Sequence, residues 1–156
     1  MPTTLLLGAS RGIGLELARQ AVAAGERVIA TARSDDGLAT LRELGCQVLK
    51  LDVANPASVS GLAWQLDGEK IDTAWHVAGV MCSRADATQP PTQQDFDRVM
   101  HANVLGAMQV IPQVAPLVEA AQGRFAFLSS VMGQIGGAAG STAWLAKKAA
   151  ARFTFM

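Results

Sequence analysis

The 156-residue sequence contains no tyrosine and only two cysteines, and its charges cancel. Two cysteines are too few for a disulfide-stabilised scaffold, so we expect Cys46 and Cys82 to be reduced packing residues of a cytoplasmic protein, outside any metal cluster. Thirteen basic and thirteen acidic residues leave no net charge, which argues against nucleic acid or an anionic membrane as the partner. No apolar segment approaches the roughly 18 residues of a membrane span, and the N-terminus lacks the features of a signal peptide.

The composition and the pattern of apolar residues predict one folded domain over residues 1–156. Hydrophobic residues make up 50 % of the chain and charged residues 17 %, a balance typical of globular proteins. Short apolar segments alternate with helical patterns, and we predict strands at residues 5–7, 27–31, 47–51, 72–77 and 124–129. This alternation predicts a doubly wound α/β fold of the Rossmann type, with helices on both faces of a parallel sheet. Right-handed crossovers give the strand order 3-2-1-4-5.

Polar residues suited to the N-cap position mark three helix starts, at Ser34, Asn55 and Thr92. The apolar spacing extends the helix after Asn55 to Leu66. In the helix after Thr92, one face carries Phe96, Val99, Met100, Asn103 and Val104. We expect Pro112 and Pro116 to kink or end that helix, and a last helix to begin near Thr142.

A glycine-rich loop joins the first strand to the first helix and reads Gly-Ala-Ser-Arg-Gly-Ile-Gly over residues 8–14. In such a loop Gly8 allows a tight turn, Gly12 lets the backbone approach a pyrophosphate, and Gly14 lets the helix pack on the sheet. The N-terminus of the helix offers free N–H groups and the positive end of a dipole to phosphates. The loop therefore predicts a dinucleotide site, the alternative being an ordinary glycine turn. Its expected binding residues are Gly8, Ser10, Arg11, Gly12, Ile13 and Gly14.

The end of the second strand indicates which dinucleotide binds. NAD-binding proteins place an acidic residue there, which accepts a hydrogen bond from the 2′-hydroxyl group of the ribose. This chain has Ala32 and Arg33 instead, with no acid before Asp35. Arg33, helped by Arg11, can pair with a 2′-phosphate. We therefore expect NADP rather than NAD, the alternative being that Arg33 is a solvated surface charge.

Together these residues resemble the short-chain dehydrogenase/reductase superfamily, over residues 4–151. Asp52 and Val53 resemble the adenine-contacting pair of the family. Ala78 and Gly79 match the end of its Asn-Asn-Ala-Gly motif, although a histidine and a valine replace the two asparagines. The resemblance adds Asp52, Val53, Ala78 and Gly79 to the expected cofactor-binding residues.

The resemblance also implies three catalytic residues, Asn103, Ser130 and Lys148. In the family the asparagine holds a water of the proton relay, the serine orients the carbonyl, and the lysine assists a tyrosine and holds the ribose. Ser130 lies in a Ser-Ser-Val-Met-Gly segment that resembles the C-factor-like branch, and Ser129 is the alternative to it. The structural alternatives are a satisfied buried amide at Asn103, a loop cap at Ser130, and a solvated pair formed by Lys147 and Lys148.

The family signature Tyr-x-x-x-Lys is incomplete in this sequence. Lys148 fits the lysine, which puts Trp144 at the position of the tyrosine. An indole N–H donates a hydrogen bond but does not ionise usefully, and losing a general acid costs about 10²–10⁴ in rate. The family also continues past this helix with a sixth strand and further helices, so the resemblance implies a truncated chain.

The resemblance therefore implies an NADP(H)-dependent oxidoreductase with impaired activity on a small-molecule carbonyl or alcohol. The alternatives are a non-catalytic NADP-binding or interaction protein, and a fragment or shifted reading frame of a normal reductase. We also expect association, because residues 125–128 form an apolar strand and no sixth strand follows to cover its edge. Family members associate through the helices that here carry Asn103 and Lys148, which implies a homodimer or homotetramer.

Overall fold

A computed structural model describes residues 1–81 and 91–129. In these ranges one parallel sheet has the strand order β3-β2-β1-β4-β5, as the sequence predicted. The strands are β1 (Thr3–Leu7), β2 (Arg27–Ala32), β3 (Gln47–Lys50), β4 (Thr73–His76) and β5 (Arg124–Phe127). The helices are α1 (Gly12–Ala23), α2 (Asp35–Glu43), α3 (Pro56–Ser60), α4 (Leu62–Gln65), α5 (Gln93–Met100) and α6 (Gly106–Ala120). A π-helical segment, His101–Leu105, joins α5 to α6.

Strand β1 lies at the centre of the sheet, where Leu5 pairs with Ile29 of β2 and with Ala74 of β4. Successive side chains of a strand point to opposite faces. Leu5 and Leu7 therefore pack into the core formed with α3, α4 and α6, whereas Leu6 packs into the core formed with α1 and α2. Because both faces are covered, the central strand carries an uninterrupted apolar segment.

The three predicted N-caps are present. The side-chain oxygens of Ser34, Asn55 and Thr92 accept hydrogen bonds from backbone N–H groups within the first turns of α2, α3 and α5. Each of these helices is therefore fixed at its start by a residue that the sequence identifies.

Two predictions about helices were wrong. The helix after Asn55 does not continue to Leu66, because Gly61 separates it into α3 and α4, and glycine is a poor helix former. The face that the sequence assigns to the helix after Thr92 is buried at Val99 and Val104, which would place Phe96 in the core as well, but Phe96 is 41 % exposed.

Pro112 and Pro116 do not end α6, which continues to Ala120. Each proline removes the N–H group that would bond the carbonyl four residues earlier. Those carbonyls belong to Met108 and Pro112, which are both exposed, so solvent can reach that side of the helix. Of the helices in the described ranges, none is long and apolar enough to cross a membrane.

Candidate functional site

A cleft of about 330 Å³ runs along the carboxyl edge of the sheet. It lies where β1 neighbours both β2 and β4, which is the point where ligands bind in doubly wound sheets. Ten of the expected cofactor-binding residues line it: Gly8, Ser10, Arg11, Gly12, Ile13, Arg33, Asp52, Val53, Ala78 and Gly79. Gly14 and Asn103 lie behind this lining.

The loop between β1 and α1 is packed too tightly for side chains at two of its glycines. Gly8 has a φ of +92°, and a Cβ atom there would lie 2.7 Å from the Cα of Ala78. A Cβ atom at Gly14 would lie 2.3 Å from the carbonyl oxygen of Gly8. The first turn of α1 therefore sits directly on the loop, and the loop sits on the segment that follows β4.

Thr31 of β2 fixes the start of this loop from beneath. Its hydroxyl accepts a hydrogen bond from the N–H of Gly8, and its carbonyl accepts one from the N–H of Ala9, both at 2.9 Å. Thr31 is only 1 % exposed. This role was not predicted from the sequence, although a single hydroxyl between the buried residues Ala30 and Ala32 is a signal for it, since buried hydroxyls need partners.

The N-terminus of α1 opens into the cleft without a neutralising group. Its N-cap residue, Arg11, makes no side-chain capping hydrogen bond, and the first turn contains no acidic residue. The amide groups of this turn and the helix dipole therefore suit a phosphate. Ile13, in the same turn, is 58 % exposed at the edge of the cleft.

Positive charge dominates the cleft beyond the end of β2. Arg11 and Arg33 are exposed, and neither forms an ion pair with any described residue. The nearest acid along the chain, Asp35, is held 2.8 Å from the Nζ atom of Lys50. This hydrogen bond lowers the pKa of Asp35. Both arginines are therefore available to an anionic ligand.

Asp52 lies in a turn between β3 and α3. Its Oδ1 atom accepts a hydrogen bond from the N–H of Ala54 at 3.0 Å, and its own N–H donates to the Oγ atom of Ser58, also at 3.0 Å. This contact makes Ser58 a second residue of the site that the sequence analysis missed. The sequence offers no signal for it beyond a hydroxyl near the start of a helix.

Asn103 lies in the π-helical segment and is 6 % exposed. Its Oδ1 atom accepts a hydrogen bond from the N–H of Val80, and its Nδ2 atom donates to the carbonyl of Val80, both at 2.8 Å. The carboxamide thus pairs with the Val80 backbone as a neighbouring strand would. Because Gly79 and Val80 line the cleft, the buried carboxamide of Asn103 fixes this part of the cleft wall from the interior of the protein.

His76, at the end of β4, is 5 % exposed, and its two ring nitrogens have no hydrogen-bond partner among the described residues. The ring packs edge-on against Phe127 at a centroid distance of 5.4 Å. Burial lowers the pKa of His76 to about 4. The imidazole is therefore neutral near pH 7 and offers no acid to the cleft.

The last part of the expected catalytic set lies outside the described residues. This applies to Ser130, Trp144 and Lys148. Ser129, the alternative serine, follows β5 and is exposed. Leu128 lies next to it and lines the cleft, so the chain leaves β5 at the end of the cleft that also contains Gly79 and Val80.

The sequence and the fold both match known proteins. A family model described as short chain dehydrogenase matches residues 2–155. Human retinol dehydrogenase 16 is 34 % identical over 137 residues, which are 83 % of this chain and 43 % of that protein. The chain spans about half the length of the first curated relatives that it matches.

Two solved structures have the same architecture. A short-chain dehydrogenase from Streptomyces avermitilis is 25 % identical with a TM-score of 0.87, covering 99 % of this chain and 60 % of that one. The complex of Pseudomonas aeruginosa RhlG with NADP is 26 % identical with a TM-score of 0.85, covering 97 % and 64 %. Sequence motifs, strand order and family match agree, and the chain belongs to the short-chain dehydrogenase family.

Proposed function

We propose that this chain binds NADP(H) along the cleft and prefers it to NAD(H). The observation that carries the proposal is the pair of exposed arginines, Arg11 and Arg33, which have no ion-pair partner among the described residues. No carboxylate stands at Ala32 to select a 2′-hydroxyl group. The NADP bound to the related RhlG supports the same cofactor class.

Four parts of such a cofactor would be held by different residues of the cleft. The first turn of α1, with Gly12 and Ile13, would hold the pyrophosphate, because its amide groups and dipole favour anions. Arg11 and Arg33 would hold the 2′-phosphate, and Asp52 the adenine. Ala78 and Gly79 would contact the nicotinamide end. A Cβ atom at Gly8 would lie 2.7 Å from the Cα of Ala78, so the loop has no room for a side chain at that position.

We further propose an oxidoreductase that acts on a carbonyl/alcohol pair with impaired turnover. Bound NADPH supplies the hydride for such a reduction. Ser130 would orient the carbonyl oxygen and Lys148 would hold the ribose, while Asn103 acts through Val80 as a positioning residue. The proton for the oxygen has no ordinary donor, because Trp144 stands where the family has its tyrosine.

A second candidate is an NADP-binding protein without turnover. It is favoured by the absence of any tyrosine in the chain and by the buried, neutral state of His76, which cannot replace the missing acid. Both candidates share the cofactor site and differ only in the chemical step.

We propose a single domain that associates as a homodimer or homotetramer in the cytoplasm. Association is supported by the exposed apolar side chains of Leu105, at the end of the π-helical segment, and Met108 of α6, which are 36 % and 45 % exposed. A reducing compartment fits Cys46, whose thiol is free and buried.

Calorimetric titration of the full chain with NADPH and with NADH tests the cofactor proposal. We expect tighter binding of NADPH, and Arg33→Asp should invert the preference. Arg124→Asp makes the same charge change at the opposite edge of the sheet and should leave the preference intact. Equal affinity of the wild-type protein for the two cofactors would refute the proposal.

A single-turnover assay separates the two candidate functions. The full chain is mixed with NADPH and a panel of aldehydes and ketones, and absorbance reports oxidation of the cofactor. A slow but substrate-dependent oxidation supports the impaired oxidoreductase. Tight binding of NADPH without oxidation by any substrate supports the binding protein.

A further inference from the structure

We propose that Ser58 is a positioning residue that makes the cleft selective for a base with an exocyclic amino group. It acts by holding Asp52, so the inference rests on the proposed binding of NADP(H) and assigns the base selectivity of that site to a residue outside the cleft lining.

The turn that carries Asp52 is fixed from outside at two points. At its start, the N–H of Leu51 donates to the carbonyl of Ala32 in β2 at 3.0 Å. At Asp52 itself, the backbone N–H donates to the Ser58 hydroxyl at 3.0 Å. Of the two outside contacts, only the second bonds the backbone of residue 52 itself, so it acts directly on the direction of that residue.

The contacts inside the turn depend on that direction. The Oδ1 atom of Asp52 accepts from the N–H of Ala54, and the carbonyl of Asp52 accepts from the N–H of Asn55, both at 3.0 Å. The carboxylate is therefore tied to its own turn through one oxygen and lines the cleft. The other oxygen has no hydrogen-bond partner among the described residues and is available to a ligand.

The chemistry of this oxygen decides which base fits. A carboxylate accepts hydrogen bonds and donates none, and that of Asp52 forms no ion pair with a described residue. The 6-amino group of adenine would donate to it. Hypoxanthine would present a carbonyl oxygen at that position, which would repel the carboxylate, and its N1–H donor is displaced to the neighbouring ring position. A site built around one hydrogen bond rejects the analogue that lacks the partner, because its own polar group is left unpaired.

Removing the Ser58 hydroxyl leaves the backbone N–H of Asp52 without its partner. The turn can then rotate, and the carboxylate loses its fixed position relative to the base. We expect the preference for adenine to decrease while the phosphate contacts at α1 and the two arginines remain. A merely structural role would instead weaken the binding of both bases by the same factor.

The test measures the affinity of the full chain for NADPH and for its hypoxanthine analogue by calorimetry. The wild-type protein should prefer the adenine form by about tenfold or more. Ser58→Ala should reduce this ratio severalfold, and Ser58→Thr, which keeps the hydroxyl, should retain it. Ser60→Ala is the matched control, because the Ser60 hydroxyl lies on the same short helix and bonds the carbonyl of Ala57 instead.

The possible outcomes separate the two proposals. An unchanged ratio in Ser58→Ala, or a ratio of one in the wild-type protein, overturns the role of Ser58 and leaves NADP(H) binding standing. Failure of the wild-type protein to bind either dinucleotide overturns the proposed function and this inference with it. Should Ser58→Ala not fold, Ser58→Cys retains the size of the side chain with a weaker acceptor, and its ratio must fall in the same direction.

Discussion

The carboxamide of Asn103 closes two hydrogen bonds with the backbone of Val80, one as acceptor and one as donor, both at 2.8 Å. The partners are 23 residues apart in the chain. A π-helical turn contains an extra residue and occurs often at functional sites. Here the π-helical segment carries Asn103, whose two hydrogen bonds fix the backbone of the cleft wall at Val80. The pair connects α5 and α6 to the wall at Gly79 and Val80.

Substitution of Asn103 should lower the stability of the fold, and the pH dependence of the stability of an aspartate variant should report on the hydrogen bonds with Val80. Asn103→Ala leaves two polar groups of Val80 unpaired and should lower the free energy of unfolding by about 1–3 kcal/mol. In Asn103→Asp, a protonated carboxyl restores both bonds, whereas a carboxylate faces the Val80 carbonyl. The folded state therefore binds the proton more tightly, and this variant should gain stability relative to wild type as the pH falls. Urea unfolding at pH 8 and pH 5 measures both effects, and a pH-independent difference would contradict the assignment.

Acid should destabilise the protein through His76. Burial lowers its pKa from 6.5 to about 4, so between these pH values the unfolded state binds a proton that the folded state does not bind. Stability is therefore lost as the pH falls from about 6.5 to about 4, by roughly 3 kcal/mol in total. His76→Phe should remove this part of the pH dependence in urea unfolding. His101→Phe replaces an exposed histidine and should keep it, and equal slopes in the two variants would argue against the prediction.

Two glycine-to-alanine changes should act in opposite directions. At Gly14 the added Cβ atom would lie 2.3 Å from the carbonyl oxygen of Gly8. We expect a loss of about 1–3 kcal/mol and weaker NADPH binding. At Gly61, with a φ of −88° and only the Gln65 side chain nearby, at 3.5 Å, alanine should add about 0.4–1 kcal/mol by restricting the unfolded chain. Thermal unfolding of the two variants, with cofactor titration of Gly14→Ala, tests this contrast, and equal stability would refute it.

Trp144→Tyr should raise the rate of carbonyl reduction, because it supplies the general acid that the family signature requires. Such an acid contributes about 10²–10⁴ in rate. Trp64→Tyr makes the same substitution at a residue of α4 that is 82 % exposed and should leave the rate unchanged. Steady-state assays with NADPH decide the question. A wild-type turnover near the ordinary enzyme value of about 10 s⁻¹ would contradict the proposed impairment.

The fold could be predicted because its determinants are local or general. Apolar segments separated by helical spacing locate the strands, and one handedness rule then orders them. The bounds were less accurate where polar residues are buried. Thr3 and Thr4 belong to β1 although the apolar segment begins at Leu5, since the Thr4 hydroxyl donates to Glu26 and the Thr3 N–H to Asp72. These partners lie 22 and 69 residues away in the sequence, so a local pattern does not reveal them.

The site was predictable only where a motif is continuous. The glycine loop and Arg33 are evident from short segments, because turn and charge requirements act on neighbouring residues. The roles of Thr31 and Ser58 depend on hydrogen bonds to backbone groups that the folded chain brings near, with separations of 23 and 6 residues. The π-helical segment was also missed, because one additional residue in a turn barely changes the spacing of apolar positions.

The central place of β1 dictates the order in which the sheet can assemble on the ribosome. Its pairing with β2 and the pairing of β2 with β3 need only residues up to Lys50, whereas its other edge waits for β4, which ends at His76. At about 5–20 residues per second, the 26 residues between these points take about 1–5 s to synthesise. During that interval the edge of β1 that later pairs with β4 has no partner strand, and its backbone N–H and C=O groups are unpaired. Slow translation of the segment before β4 would therefore prolong the period in which the nascent chain is most exposed to wrong pairing and to chaperone binding.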